Sequence, residues 1–395
     1  MTLTLLIACG AAETKAALLQ GGEPVRFFFA PARGDEGLPR AAEAGDIVLA
    51  RIKTAAPALG GAFADIGAGA DAFLPVRRTA KAPVEGALLL LGVRRPALGG
   101  KGAVLEATWK RGLSPRQAAA LSGSGGAPRL LTQSFDPAIM IARRAAAFGA
   151  TAIIVSRPDA QRALAAEGIA AKIDDERFAD FDLEEAIAEA LALLVPLGGG
   201  ARLVVAETAG GAVIDVDAGA AADAARKPND AVNERAAKRL FAELSRRAIG
   251  GRIIVDFLPP SAPARRQALL KTLEAGADYY ERQLGKLAPD GLLDLTAPRR
   301  DLSLLDRASE EAGDDFIRSG RRLTLDWTAK RAVAAVETRL DRHPRLSISL
   351  DAGAELARYI EERPQWLARL AERYGARTAL QATQGPARSF DVRER

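Results

Sequence analysis

Two aspartates at the ends of short apolar runs are the residues best placed to do chemistry. Asp215 lies in Gly-Ala-Val-Ile-Asp-Val-Asp-Ala-Gly (211–219), and Asp256 in Gly-Gly-Arg-Ile-Ile-Val-Asp-Phe (250–257). Each run is β-branched and opened by glycine, the pattern of a buried strand that delivers a carboxylate to its C-terminal end. The stretch 229–249 between them reads as a helix, so the two strands can be sheet neighbours with both carboxylates at one edge. Carboxylates so placed suit Mg²⁺, which takes few protein oxygens and fills its other positions with water and phosphate. Either aspartate alone reads equally as a turn former or a helix cap.

Composition narrows the chemistry. The chain has 395 residues, room for two to four domains, and 48% of them are apolar, enough for a large core. Cys9 and His343 are its single cysteine and histidine. They exclude a disulfide framework and a thiolate zinc site within one chain, and leave little for His-dependent zinc or a Ser-His-Asp arrangement. Metal chemistry must therefore run on carboxylates and hard cations, Mg²⁺ with Mn²⁺ able to substitute, and no zinc is expected. With 55 basic and 50 acidic residues the net charge is +5. That modest excess permits a polyanionic partner without requiring one. No apolar stretch is long enough to span a bilayer, so no membrane partner is expected. The opening Met-Thr-Leu-Thr-Leu-Leu-Ile-Ala-Cys-Gly lacks a basic n-region and a full apolar h-region. It reads as a first strand, with a cytoplasmic location expected.

The elements that must position these residues follow from periodicity. Strands are expected at 3–9, 15–19 and 24–30. Five more, at 45–53, 62–67, 71–76, 87–93 and 103–109, are joined by glycine-rich turns and suggest a small β-barrel. On it, Phe63 and Phe73 either stack bases on the barrel surface or fill its core. Lys101, with Arg94 and Arg95 nearby, is placed for phosphate contacts. After a polar connection at 112–128 the pattern turns α/β. It has strands at 130–133, 151–155, 202–206, 211–216 and 252–257, and helices at 137–148, 159–166, 182–194, 229–249 and 262–287. Residues 301–320 read as a charged loop, and Arg299 and Arg300 before it as a solvated turn. The remainder, with helices at 327–340 and 353–360 and strands at 346–349 and 378–381, reads as a small α+β module.

In this order the segments resemble the ribonuclease E/G family over essentially the whole chain. Gly-Ala-Phe-Ala-Asp-Ile-Gly (61–67), Ala-Phe-Leu-Pro (72–75) and Lys-Gly-Ala-Val-Leu (101–105) are similar to that family's embedded S1 domain. Ala-Ile-Ile-Val-Ser-Arg-Pro-Asp (152–159) resembles its RNase H-like part. The two aspartate runs resemble the two catalytic motifs of its DNase I-like domain, followed by Gly-Leu-Leu-Asp-Leu-Thr (291–296). Ala-Ala-Val-Glu-Thr-Arg (334–339) resembles its small C-terminal domain. Six weak motifs in the right order make a specific signal.

The resemblance implies an α/β (α+β) multidomain fold. An RNase H-like domain at 1–35 and 119–197 would carry an inserted S1 barrel at 36–118. A DNase I-like catalytic domain would span 198–300, and a linker and small C-terminal domain 301–395. It implies Asp215 and Asp256 as catalytic Mg²⁺ ligands, and Phe63, Phe73 and Lys101 as RNA contacts. Where the family has Asn, this chain has Asp217, an added carboxylate that is either a direct ligand or lies behind the ligands. The implied activity is Mg²⁺-dependent endoribonucleolytic hydrolysis of single-stranded RNA to 5′-phosphate and 3′-hydroxyl ends, in RNA processing or decay. The alternative is a non-catalytic RNA-binding protein that retains the fold. A DNA-directed nuclease has only the metal site in its favour. Three departures point to a reduced member. About twenty residues stand where the 5′-sensor lobe belongs, 301–320 lacks the zinc-link cysteines, and no scaffold tail follows the small domain. Homo-oligomerisation is then open, but not through a zinc link.

Overall fold

Short strands and amphipathic helices assemble into four packed units. The computed structural model describes residues 2–35, 40–76, 83–98, 100–106, 126–208, 210–219, 228–276, 278–312 and 320–395. The end of the strand expected at 103–109 and most of the 112–128 connection lie outside these residues, as does 313–319.

The first unit is a five-stranded sheet. Leu3–Cys9, Glu13–Gln20 and Glu23–Pro31 form an antiparallel meander. Leu3–Cys9 also pairs in parallel with Ala152–Val155, which pairs with Lys172–Ile173. Both faces are covered. Leu5, Ile7, Leu18 and Phe28 pack under helix Pro137–Ala146. Leu6, Leu19, Phe27 and Phe29 pack against helix Leu183–Leu191 and Trp327. Burial on both sides explains why these strands read as continuous apolar runs.

Between the halves of that sheet the chain builds a closed five-stranded barrel from Ile47–Ala56, Gly61–Asp65, Ala72–Pro75, Leu88–Arg95 and Val104–Glu106. Small and branched side chains such as Val48, Ile52, Ala62, Ala64, Ala72 and Leu105 fill its interior.

The third unit is a six-stranded sheet. Its order is Leu194–Gly198, Ala201–Thr208, Gly211–Asp217, Gly251–Asp256, Leu292–Ala297, Gln283–Leu287. The two aspartate strands are parallel to each other and every other neighbouring pair is antiparallel. Helix Pro228–Arg246 is the crossover between the parallel strands, which need such a connection. It covers one face together with helix Pro263–Glu274, and there Ile214, Val255 and Leu293 meet Leu240 and Phe241 of the first helix and Leu273 of the second. The crossover helix closes in a two-bond stop. The Ile249 N–H donates to the Leu244 carbonyl and the Ala248 N–H to the Ser245 carbonyl, both at 2.9 Å. Ala248 takes the left-handed conformation, φ 55°, that such a stop requires. The last turn buries Glu243 completely, ringed by Arg239, Arg246 and Arg247 with nitrogen–oxygen distances of 2.7, 2.7 and 3.3 Å.

The long helix expected at 262–287 ends at Glu274. Tyr280 stacks on Phe241 at 5.8 Å and donates to the Ile249 carbonyl at 2.9 Å. The Arg282 guanidinium takes up the freed Leu273 and Glu274 carbonyls. The helix thus ends at Gly276 and this packing, and Gln283–Leu287 returns as an edge strand. Within the expected 301–320 loop, Leu304–Ala308 is helical and Ser309–Glu311 pairs with Arg321–Leu323.

The last unit sets helix Leu325–Arg342 against a sheet in the order Thr378–Thr383, Ile348–Gly353, Phe390–Glu394. Helix Ala354–Glu361 was expected; helix Pro364–Tyr374 and the final strand were not. Ala11 and Ala12, from the first hairpin of the chain, sit in this unit's core. There the Ala11 N–H donates to the Glu337 carboxylate, which also pairs with Arg373 at 2.6 Å. Among the described residues no helix is long and apolar enough to cross a membrane.

Candidate active site

Strand alternation decides which side chains leave the core. Ala212, Ile214 and Val216 are buried under the helices, as are Ile253 and Val255, so Asp215, Asp217 and Asp256 face the sheet's open side. The parallel register sets Asp215 directly opposite Asp256. Neighbouring strands lie about 4.8 Å apart, which brings the two carboxylates side by side. Gly211 makes the approach possible, since a Cβ there would fall 2.2 Å from the Arg252 carbonyl oxygen. Beyond Asp256 the chain is pinned by Asn233 on the crossover helix. Its amide donates to the Leu258 carbonyl at 2.7 Å and accepts the Leu258 N–H at 3.1 Å. Asn233 is a positioning residue that sequence reasoning passed over.

Apolar residues bracket the pair in the same cross-strand row. Val204 stands opposite Asp215 and Leu292 opposite Asp256. Burial, then the charges of Asp256 and Asp217, raise the Asp215 carboxyl above the ordinary range, with Arg202 opposing. Asp217 behaves differently. One oxygen accepts the Gly219 N–H at 2.8 Å, and the other binds Arg202 through Nε at 2.8 Å and a terminal nitrogen at 2.6 Å. The backbone donor first, and then the guanidinium, hold its carboxyl below the usual range.

Among the described residues no three or more His, Cys, Asp or Glu side chains converge as a metal cluster. The donor set is two side-by-side carboxylates with Asp217 engaged elsewhere. It fits a Mg²⁺ ion that keeps most of its shell for water and phosphate.

Arg202, and Arg252 paired with Asp294 at 2.9 Å, share the open face and were not singled out from the sequence. The signal was present. Thr208 pairs with Gly211, and counting back along that hairpin puts Arg202 opposite Asp217.

On the barrel, Phe63 and Phe73 are register partners with ring centroids 5.5 Å apart, edge to face. Both are half-buried on the outside, because alanines and Leu74 take the inward positions. Phe73 lies over Gly61, where a Cβ would come within 2.4 Å of its ring. Lys101 is exposed in a turn closed by backbone bonds with Leu98, and has no ion pair among the described residues. Two residues on, the Ala103 carbonyl accepts the Phe73 N–H at 2.7 Å, which ties the lysine's segment to the aromatic pair. Lys53, also exposed, pairs with Asp71 at 2.8 Å. A cleft of about 810 Å³ separates the Leu98 turn from Gly211, Gly250 and Arg299 at the N-terminal ends of the aspartate strands.

No curated protein matches the chain. The model of the ribonuclease E/G family matches residues 112–300, a stretch that begins after the barrel and contains both aspartate strands. Over that stretch, a little under half of its length, the chain is similar to the ribonuclease E/G family.

Proposed function

We propose that this protein is a Mg²⁺-dependent endoribonuclease that hydrolyses single-stranded RNA and leaves 5′-phosphate and 3′-hydroxyl ends. The match of residues 112–300 to the ribonuclease E/G family supports a ribonuclease acting on RNA. The observation that carries the finer reading is the register of Asp215 with Asp256 on an open sheet face. In this reading the first sheet is the RNase H-like part, the barrel the S1 domain and the six-stranded sheet the DNase I-like domain.

Asp215 and Asp256 would hold the ion. When bound, it supplies Lewis-acid polarisation of a phosphoryl oxygen and promotes ionisation of water. The chain's own residues do the rest. Val204 and Leu292 flank the carboxylates in the same cross-strand row. Asn233 fixes the backbone beyond Asp256. Phe63 and Phe73 offer ring faces and edges to bases, and Lys101 a free ammonium to phosphate.

A labelled single-stranded RNA should be cut in Mg²⁺ and left intact in EDTA. Binding without cleavage in any divalent cation would instead favour a non-catalytic RNA-binding protein. Phe63→Ala should weaken RNA binding by about 1–3 kcal/mol, the worth of one base stack. Unchanged affinity in a folded variant would remove Phe63 from the interface.

A further inference from the structure

We propose that Arg202 is a substrate-positioning residue whose guanidinium, held by Asp217, contacts an RNA phosphate beside the Asp215–Asp256 pair. The inference rests on the nuclease reading above and deepens it. Arg202 stands opposite Asp217 in the antiparallel register. Two residues along its strand, Val204 stands opposite Asp215, so the guanidinium and the Asp215 carboxylate are diagonal neighbours on the open face. Nε and one terminal nitrogen are spent on a single oxygen of Asp217, while the Gly219 N–H takes the other oxygen. The second terminal nitrogen has no partner among the described residues, and the side chain is 47% exposed.

Arg202 is thus an arginine fixed at one edge of its fork and open at the other. A planar fork held this way matches phosphate geometry, and it loses less freedom on binding than a loose side chain would. Asp217 then acts through Arg202. Its negative charge is neutralised within the pair, which leaves Asp215 and Asp256 as the carboxylates that face the substrate.

The test is the salt dependence of RNA binding in EDTA, measured with a labelled single-stranded oligoribonucleotide. For single strands the slope of log affinity against log salt changes by about 0.7 for each phosphate contact. Arg202→Gln should lose about that much slope and Arg202→Lys should retain it. In Mg²⁺, Arg202→Gln should raise KM more than it lowers kcat. Arg202→Gln that melts like the parent and keeps the parent's slope would overturn the proposal while the nuclease reading stands. A parent that binds no RNA would overturn both.

Discussion

Asp215→Asn or Asp256→Asn should cut RNA cleavage by about a thousandfold or more while leaving RNA binding in EDTA intact. Each substitution keeps size and shape but removes half of a two-carboxylate donor set. The ion's contribution to the transition state is several kcal/mol, and each ~1.4 kcal/mol is tenfold in rate. Asp215→Asn should also raise the melting temperature of the metal-free protein at neutral pH. Asp215 has a raised carboxyl in the folded state, from burial and from Asp256 and Asp217. A raised carboxyl favours folding while protonated, and that advantage is lost as pH rises through its folded value. Asn removes the ionised state, so the gain should shrink in acid. Near-parental cleavage by either variant would sink the two-carboxylate site. A lower melting temperature would sink the account of its electrostatics.

Glu243→Ala should destabilise the six-stranded unit by about 3–5 kcal/mol, the usual cost of removing one partner from a buried ion network. Glu243 is fully buried and answers three arginines, of which Arg246 and Arg247 are only 4% exposed. Without it, Arg246 keeps only Glu189 at 4.0 Å, and Arg247 stays buried with no ion-pair partner among the described residues. One terminal nitrogen of Arg247 already has no hydrogen-bond partner among the described residues. The network sits where the crossover helix turns into the Asp256 strand, so its loss should also lower activity at temperatures where the parent is stable. A urea midpoint unchanged from the parent would mean that water reaches these arginines.

The aspartate strands were legible because glycine-opened β-branched runs of this length have few other readings. That they could be sheet neighbours with both carboxylates at one edge was legible too, but their register was not, since only the sheet fixes whether Asp215 meets Asp256. The phenylalanines show a different limit. In Gly-Ala-Phe-Ala-Asp the alanines face inward and the aromatic outward, the reverse of the usual apolar-in rule. Nothing local to those five residues distinguishes the two arrangements. The region after Pro263 misled because alanine, leucine and arginine favour a helix up to Glu274, and the stop signal in Gly276 was passed over; there Phe241 lies where a Cβ would be, and Tyr280 packs against the same ring. Helix Pro364–Tyr374 carried its own signal, a proline at the first turn and Trp366 and Leu370 one turn apart.

The barrel's place within the first sheet sets an order of synthesis. Thr151 bonds the Leu3 carbonyl across 148 residues, and the barrel is translated entirely within that interval. Its own pairings close between Ile47 and Glu106, so it can fold on the ribosome before Leu3–Cys9 has its parallel neighbour. Until Leu183–Leu191 and Trp327 emerge, the nascent meander exposes the face that bears Leu6, Phe27 and Phe29. An apolar face left uncovered over that interval is the kind of surface through which partly folded chains aggregate.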